Sequence, residues 1–281
     1  MRLATLRHGD GATSAVVIAD GTATEIAGAA DIGDLLADPD WRARAASADG
    51  RQLPIDRIDP EKWGAVVTRP GKVVCVGLNY RAHILEMGRE LPAHPTLFAK
   101  FGTAITGPYD DIAVPAHAAH QVDWEAELAV VIGERIRDAD TGTAARAIAG
   151  YSVLNDVSMR DFQNRTVQWM QGKNLVASSA LGPWMVTADE LDPVAEGCVL
   201  RTWVNGELRQ EHSLADLVFK PQELVEYVEN FATLEAGDVI ALGTPAGVGH
   251  GMTPPQYLGH GDTVEVEIEG LGRISSTIDV R

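Results

Sequence analysis

The stretch Val122-Asp123-Trp124-Glu125-Ala126-Glu127-Leu128 is an acidic alternation that runs directly into the apolar segment Leu128-Ala129-Val130-Val131-Ile132-Gly133. The apolar part suits a buried strand. Side chains i and i+2 of a strand share a face, so Glu125 and Glu127 project together from its start. On this segment alone two readings stand: a solvated strand end, or a pair of carboxylates that invites a divalent cation.

A third carboxylate bears on that choice. In Gly150-Tyr151-Ser152-Val153-Leu154-Asn155-Asp156 an apolar strand pattern ends in Asn155-Asp156, the usual place for a functional side chain to leave a sheet. Three oxygen ligands with no thiolate or imidazole among them suit a hard ion such as Mg2+ or Mn2+, which keeps positions open for water or substrate oxygens. Zinc fits this donor set less well.

At 281 residues and 45% hydrophobic, the chain can hold one large domain, or a small one and a larger one, around a full core. Its formal charge of -17 argues against nucleic acid or an anionic membrane as partner, since both would repel it. An anionic substrate would need local positive charge from a metal or from a few placed Lys and Arg residues. The two cysteines, Cys75 and Cys198, sit inside apolar segments and read as buried thiols in a reducing compartment. Residues 1–7 lack the continuous apolar core of a signal peptide, and no run approaches transmembrane length, so a cytoplasmic protein is expected.

Residues 2–26 read as short strands around turns at Gly9-Asp10-Gly11 and Asp20-Gly21, and residues 31–47 as helical. A polar passage from Ser47 to Pro60 precedes Arg69-Pro70-Gly71, which places a domain boundary near residue 68. Two units are therefore expected, 1–68 and 69–281. From Lys72 onward, apolar strands alternate with Gly and Pro turns, and helical periodicity is confined to about Ala144–Ala149 and Pro221–Phe231. The fold class is β-rich α+β, without the regular strand-helix alternation of a doubly wound sheet.

After the expected strand Val73–Gly77, a helical turn over residues 80–87 would bring His83 and Glu86 to one side. A carboxylate beside an imidazole orients it and raises its basicity, as a water-activating general base requires. An exposed surface pair is the other reading. His117 and His120 mimic a zinc pair but lie in a Pro- and Ala-rich loop, and Gly243–Gly251 lacks the Lys-Ser or Lys-Thr of a phosphate loop. No G-x-S-x-G element is present.

Several segments, taken in order, carry a resemblance: Val76-Gly77-Leu78-Asn79-Tyr80 with His83 and Glu86, Pro95–Lys100, Asp123–Leu128, Asn155–Ser158 with Arg160–Gln163, Gly172-Lys173, Leu181–Trp184 and Gly243–Gly249. From about residue 70 to 281 the chain resembles the fumarylacetoacetate hydrolase family. The resemblance implies that family's mixed β-sandwich roll, preceded here by a small N-terminal α+β domain. It implies one Mg2+ or Mn2+ per chain on Glu125, Glu127 and Asp156, and a His83–Glu86 dyad that activates water. Lys173 is implied as catalytic, and Arg160, Gln163, Thr244, Tyr80 and Lys100 as substrate-binding. A homodimer is also implied.

The chemistry that follows is cleavage of a small anionic 2-oxo acid. A metal chelated by a carboxylate and its 2-oxo group stabilises the enolate formed when the adjacent carbon-carbon bond breaks. The first expectation is hydrolysis of an acylpyruvate such as fumarylpyruvate, with water deprotonated by His83. The same enolate serves oxaloacetate decarboxylation or isomerisation and dehydration of 2-hydroxy-dienoates, which are the alternatives. A metal-binding structural protein without activity is the remote one.

Overall fold

The apolar runs become strands. In the computed structural model, which describes residues 1–86, 88 and 90–281 and leaves the side chains of His83 and Glu86 outside that description, 36% of residues are in strands and 20% in helices. This is the strand-rich α+β class expected. Chain order begins β1 (Arg2–Arg7), β2 (Thr13–Ala19), β3 (Thr22–Glu25), α1 (Ile32–Leu36), α2 (Trp41–Ala46), β4 (Gln52–Pro54), β5 (Trp63–Gly64), β6 (Val73–Gly77), α3 (Arg81–Glu86) and β7 (Thr96–Lys100). It continues β8 (Ile105–Thr106), β9 (Ile112–Val114), β10 (Val122–Asp123), β11 (Ala126–Ile132), α4 (Thr141–Arg146), β12 (Ile148–Asn155), β13 (Ser158–Met159), α5 (Arg160–Gln163), α6 (Met170–Lys173) and β14 (Ser179–Thr187). The last elements are β15 (Val199–Val204), β16 (Glu207–Ser213), α7 (Pro221–Glu229), β17 (Val239–Ala241), β18 (Thr263–Ile268) and β19 (Gly272–Val280).

One large sheet runs β4-β3-β2-β1-β14-β12-β11-β17-β6-β7, with β5 on β1 and β8 on β14, and a second runs β16-β15-β18-β19-β9. Strand β11 lies inside the first sheet and is buried along its whole length. Its Leu128, Val130 and Ile132 join a core with Leu200 and Val266 of the second sheet and with Leu224, Val225 and Val228 of α7. Its Ala129 and Val131 face the opposite way, into a core with Leu3, Val73, Cys75 and Ala241. Glu127 shares the parity of Ala129 and Val131, so the acidic face of the alternation turns toward that second core.

Strand β1 pairs antiparallel with β14, Leu3 opposite Met185. The expected division near residue 68 falls between β5 and β6, and residues from both sides of it meet in the core around Leu3 and Val73. The helix expected at Ala144–Ala149 is α4 at Thr141–Arg146: the Asp140 side chain accepts from the Thr143 N–H and starts it early. Ile148 already pairs with Ile132 in the sheet. Both cysteines are buried and unpaired, as expected. Among the described residues no helix is long and apolar enough to cross a membrane.

Candidate active site

The β11–β12 register sets Ala126 opposite Asn155 and Glu127 opposite Leu154. The start of one strand and the end of the other therefore bring Glu125, Glu127 and Asp156 together. The Asp156 N–H donates to the Glu125 carbonyl at 2.8 Å, and the Glu125 N–H donates to the Asn155 side-chain oxygen at 3.1 Å. One carboxylate oxygen from each acidic residue lies within 4.8 Å of the others. All three residues are buried, with relative exposures of 8%, 1% and 0%. The solvated-strand reading is thereby excluded.

Three cations answer these carboxylates. Lys173 Nζ donates to Glu125 Oε2 at 2.5 Å and to Asp156 Oδ2 at 2.9 Å. Lys100 Nζ pairs with Asp156 Oδ1 at 2.8 Å and donates to the Lys173 carbonyl. Arg160 donates through Nη1 to Glu125 Oε1 at 2.5 Å and to Gln163 Oε1 at 2.9 Å, and through Nε to Asp123 Oδ2 at 2.8 Å. Burial opposes ionisation of Asp156, but Lys100 and Lys173 outweigh it and hold its carboxyl below the usual range. Burial likewise opposes charge on Lys173, and Asp156 and Glu125 outweigh that, raising the ammonium above its ordinary value.

Glu127 is different. It accepts the Gly243 N–H at 2.8 Å, but among the described residues it has no ion pair. Gly243 sits at φ +89°, where a Cβ would lie 2.6 Å from the Val76 carbonyl oxygen, so only glycine brings this N–H to the carboxylate without strain. Burial, and then repulsion from Asp156 and Glu125, push the Glu127 carboxyl well above its normal range. A hard divalent cation among the three oxygens relieves both costs, and the all-carboxylate donor set suits it. The four buried carboxylates Asp123, Glu125, Glu127 and Asp156, against Lys100, Arg160 and Lys173, leave one negative charge when all are ionised. A bound divalent ion would turn this into one positive charge, the sign that an anionic ligand requires.

The triad opens onto a cavity of about 290 Å³ whose lining includes Glu125, Glu127, Arg160, Gln163, Lys173 and Thr244 from the expected site set. Tyr80 and Lys100 are not among the lining residues. Tyr80 is buried against the His212 ring at 6.4 Å, and Lys100 holds Asp156 and the Lys173 carbonyl from behind. The backbone of residues 81–86 is helical, as expected for the segment bearing the dyad. The side chains of His83 and Glu86 lie outside the described residues. His117 stacks on Phe162 and takes no part in the acidic cluster.

Other residues of the site went unassigned in the sequence. Asp123 holds Arg160 and also accepts the N–H groups of Gly249 at 2.8 Å and His250 at 2.9 Å. Its position two residues before Glu125 was the available signal. Asn79 accepts from the Phe219 N–H and donates to the carbonyls of Phe219 and Leu242, which pins the chain beside Leu78, a cavity residue at φ 57°. Phe98 and Trp169 meet edge to face, with ring centres 5.5 Å apart, in the cavity wall. No local pattern marks them, nor His250 at the cavity edge.

A strand-rich sandwich with a buried carboxylate triad, able to hold a divalent ion and opening onto a cation-lined cavity, defines the class. Residues 72–279 match the family described as fumarylacetoacetate (FAA) hydrolase, C-terminal. The chain belongs to the fumarylacetoacetate hydrolase family, a family of enzymes. It is 44% identical over 230 residues to the mitochondrial oxaloacetate tautomerase FAHD2B of Bos taurus, covering 81% of this chain and 72% of that one. It is 40% identical over 220 residues to the oxaloacetate tautomerase YisK of Bacillus subtilis (strain 168), covering 77% and 73%. A solved fumarylacetoacetate hydrolase from psychrophilic Exiguobacterium antarcticum matches with a TM-score of 0.88 at 36% identity over 100% of both chains.

Proposed function

We propose that this protein interconverts the enol and keto forms of a small 2-oxo dicarboxylic acid of the oxaloacetate type, with one Mg2+ or Mn2+ held by Glu125, Glu127 and Asp156. The observation that carries this reading is the buried triad itself, with Glu127 in no ion pair among the described residues and with its ring of Lys100, Arg160 and Lys173. The oxaloacetate tautomerases among the relatives support proton transfer as the reaction, ahead of the hydrolysis first expected.

When bound, the divalent ion supplies Lewis acidity at the oxygen on C2 of the substrate. Lys173 and Arg160, both buried, add fixed positive charge beside the triad, which favours the deprotonated oxygen over the neutral enol. An ammonium has three donors, and Lys173 commits two of them to Glu125 and Asp156. Tautomerisation moves one proton from the C2 oxygen and adds one at C3; no water is consumed and no carbon-carbon bond breaks. His83 and Glu86 are assigned the proton-transfer role, on the helical segment α3.

A second reading, hydrolytic cleavage of an acylpyruvate such as fumarylpyruvate, is supported by the similarity to the Exiguobacterium hydrolase. It shares the enolate but breaks the bond from C3 to the acyl carbon, with one water consumed to form the released acid. The test is a parallel assay of Mg2+-loaded protein on freshly dissolved enol oxaloacetate and on acetylpyruvate and fumarylpyruvate. Faster decay of the enol absorbance with no carbon dioxide released supports tautomerisation. Cleavage of an acylpyruvate with no acceleration of enol decay overturns it in favour of hydrolysis.

A further inference from the structure

We infer that His250, oriented by Tyr257, recognises the distal carboxylate of a dicarboxylic substrate and sets the preference for it over monocarboxylic 2-oxo acids. This rests on the 2-oxo dicarboxylate reading and names the group that would enforce it. Among the described residues lining the cavity, the charged or chargeable groups are Glu125, Glu127, Arg160, Lys173 and His250. The two carboxylates repel a substrate anion. Arg160 is bound to Asp123, Glu125 and Gln163, and Lys173 to Glu125 and Asp156, so both cations are anchored at the triad end.

The His250 side chain makes no hydrogen-bond contact with that network among the described residues, and the residue is solvent-exposed. Its Nδ1 lies 2.9 Å from the Tyr257 hydroxyl. We assign the phenol as donor and Nδ1 as acceptor of this bond. That bond selects the tautomer with its proton on Nε2. Nε2 is then an N–H donor, and it makes no bond among the described residues. It offers a charge-compatible donor to a carboxylate that reaches the exposed side of the cavity.

The backbone under the imidazole is fixed. The N–H groups of Gly249 and His250 both donate to Asp123, the carboxylate that also holds Arg160. A Cβ on Gly249 would lie 2.0 Å from the Gln256 carbonyl oxygen, so glycine lets the loop lie flat against the segment that carries Tyr257. One carboxylate thus positions a guanidinium at the triad end and an exposed imidazole in the cavity lining. Such an arrangement favours ligands with a second anionic end.

The test uses calorimetric titration of the Mg2+-loaded protein with malate and with lactate, nonreactive 2-hydroxy acids that differ in the distal carboxylate. Wild type should bind malate at least tenfold tighter than lactate, because a charge-assisted hydrogen bond is worth roughly 10- to 100-fold in affinity. H250A should bring the malate-to-lactate ratio close to one, H250Q should restore part of it through its amide N–H, and Y257F should give an intermediate ratio. A wild-type ratio near one, or the wild-type ratio kept in both H250A and Y257F, overturns the inference. Failure of the functional reading is separately visible, as absence of enol turnover with the binding ratio intact.

Discussion

Replacing Glu127 by glutamine should raise the stability of the metal-free protein while abolishing its response to metal. The carboxylate is buried, lies with its ligand oxygen within 4.8 Å of those of Glu125 and Asp156, and has no ion pair among the described residues. At the 4.8 Å upper limit of these separations, two unit charges repel by about 3.5 kcal/mol at an effective dielectric of about 20. Lys173 offsets part of this, and the new amide costs about 1–3 kcal/mol if its N–H groups stay unpaired. The net gain expected for E127Q at pH 8 is on the order of 1–2 kcal/mol.

The sign of the pH dependence follows from the raised carboxyl. Folding raises the Glu127 pKa above its ordinary 4.5, so the folded state binds the proton more tightly. The stability this contributes is complete below the unfolded value and is lost as pH rises through the folded one. The advantage of E127Q should therefore be absent at pH 4.5 and below and grow toward neutrality. With Mg2+ at about 100 times its dissociation constant the wild type should gain about 2.7 kcal/mol and overtake the variant. Urea unfolding at stepped pH, on stripped and Mg2+-loaded protein, reads all of this. A stripped E127Q less stable than wild type at pH 8, or an E127Q that gains as much from Mg2+ as wild type, would refute the reasoning.

Lys173→Met should destabilise the stripped protein by about 3–5 kcal/mol, since it leaves Glu125 and Asp156 short of a buried partner; urea unfolding of the stripped variant checks this, and a loss below 1 kcal/mol would show the ion pairs to be dispensable. Asp123→Asn should lower kcat/KM for oxaloacetate by about 10- to 100-fold while ion stoichiometry stays at one, because it loosens Arg160 and the His250 loop without removing a ligand; steady-state kinetics beside a metal titration would expose an error if the ion were lost as well. The protein is expected to be a homodimer, and light scattering that finds only monomer at micromolar concentration would remove that expectation.

The buried carboxylate cluster was legible in the sequence because both of its signals are local. Strand parity aligns Glu125 with Glu127, and a strand end releases Asp156. Strand Val73–Gly77 and the core positions Leu224, Val225 and Val228 were legible for the same reason, as periodic apolar patterns. The cavity walls were not. Phe98, Trp169 and His250 come from separate loops and strands that only the sheet order brings together. The role of Lys100 was also hidden, because a lysine ending a strand gives no sign that it lies 2% exposed behind Asp156. Asp123 stood in the same alternation as the ligands, but its partners Arg160, Gly249 and His250 lie 37 to 127 positions away.

The central claim is that one divalent cation on Glu125, Glu127 and Asp156 sustains the reaction. Its most direct test is to titrate Mn2+ into stripped wild type, E125Q, E127Q and D156N while following bound ion and the rate of enol oxaloacetate decay in the same samples. The account predicts that wild-type rate rises with occupancy and levels off at one ion per chain, and that each variant loses tight binding and rate together. Full rate in the stripped wild type, or tight binding and rate retained in any of the three variants, would contradict it.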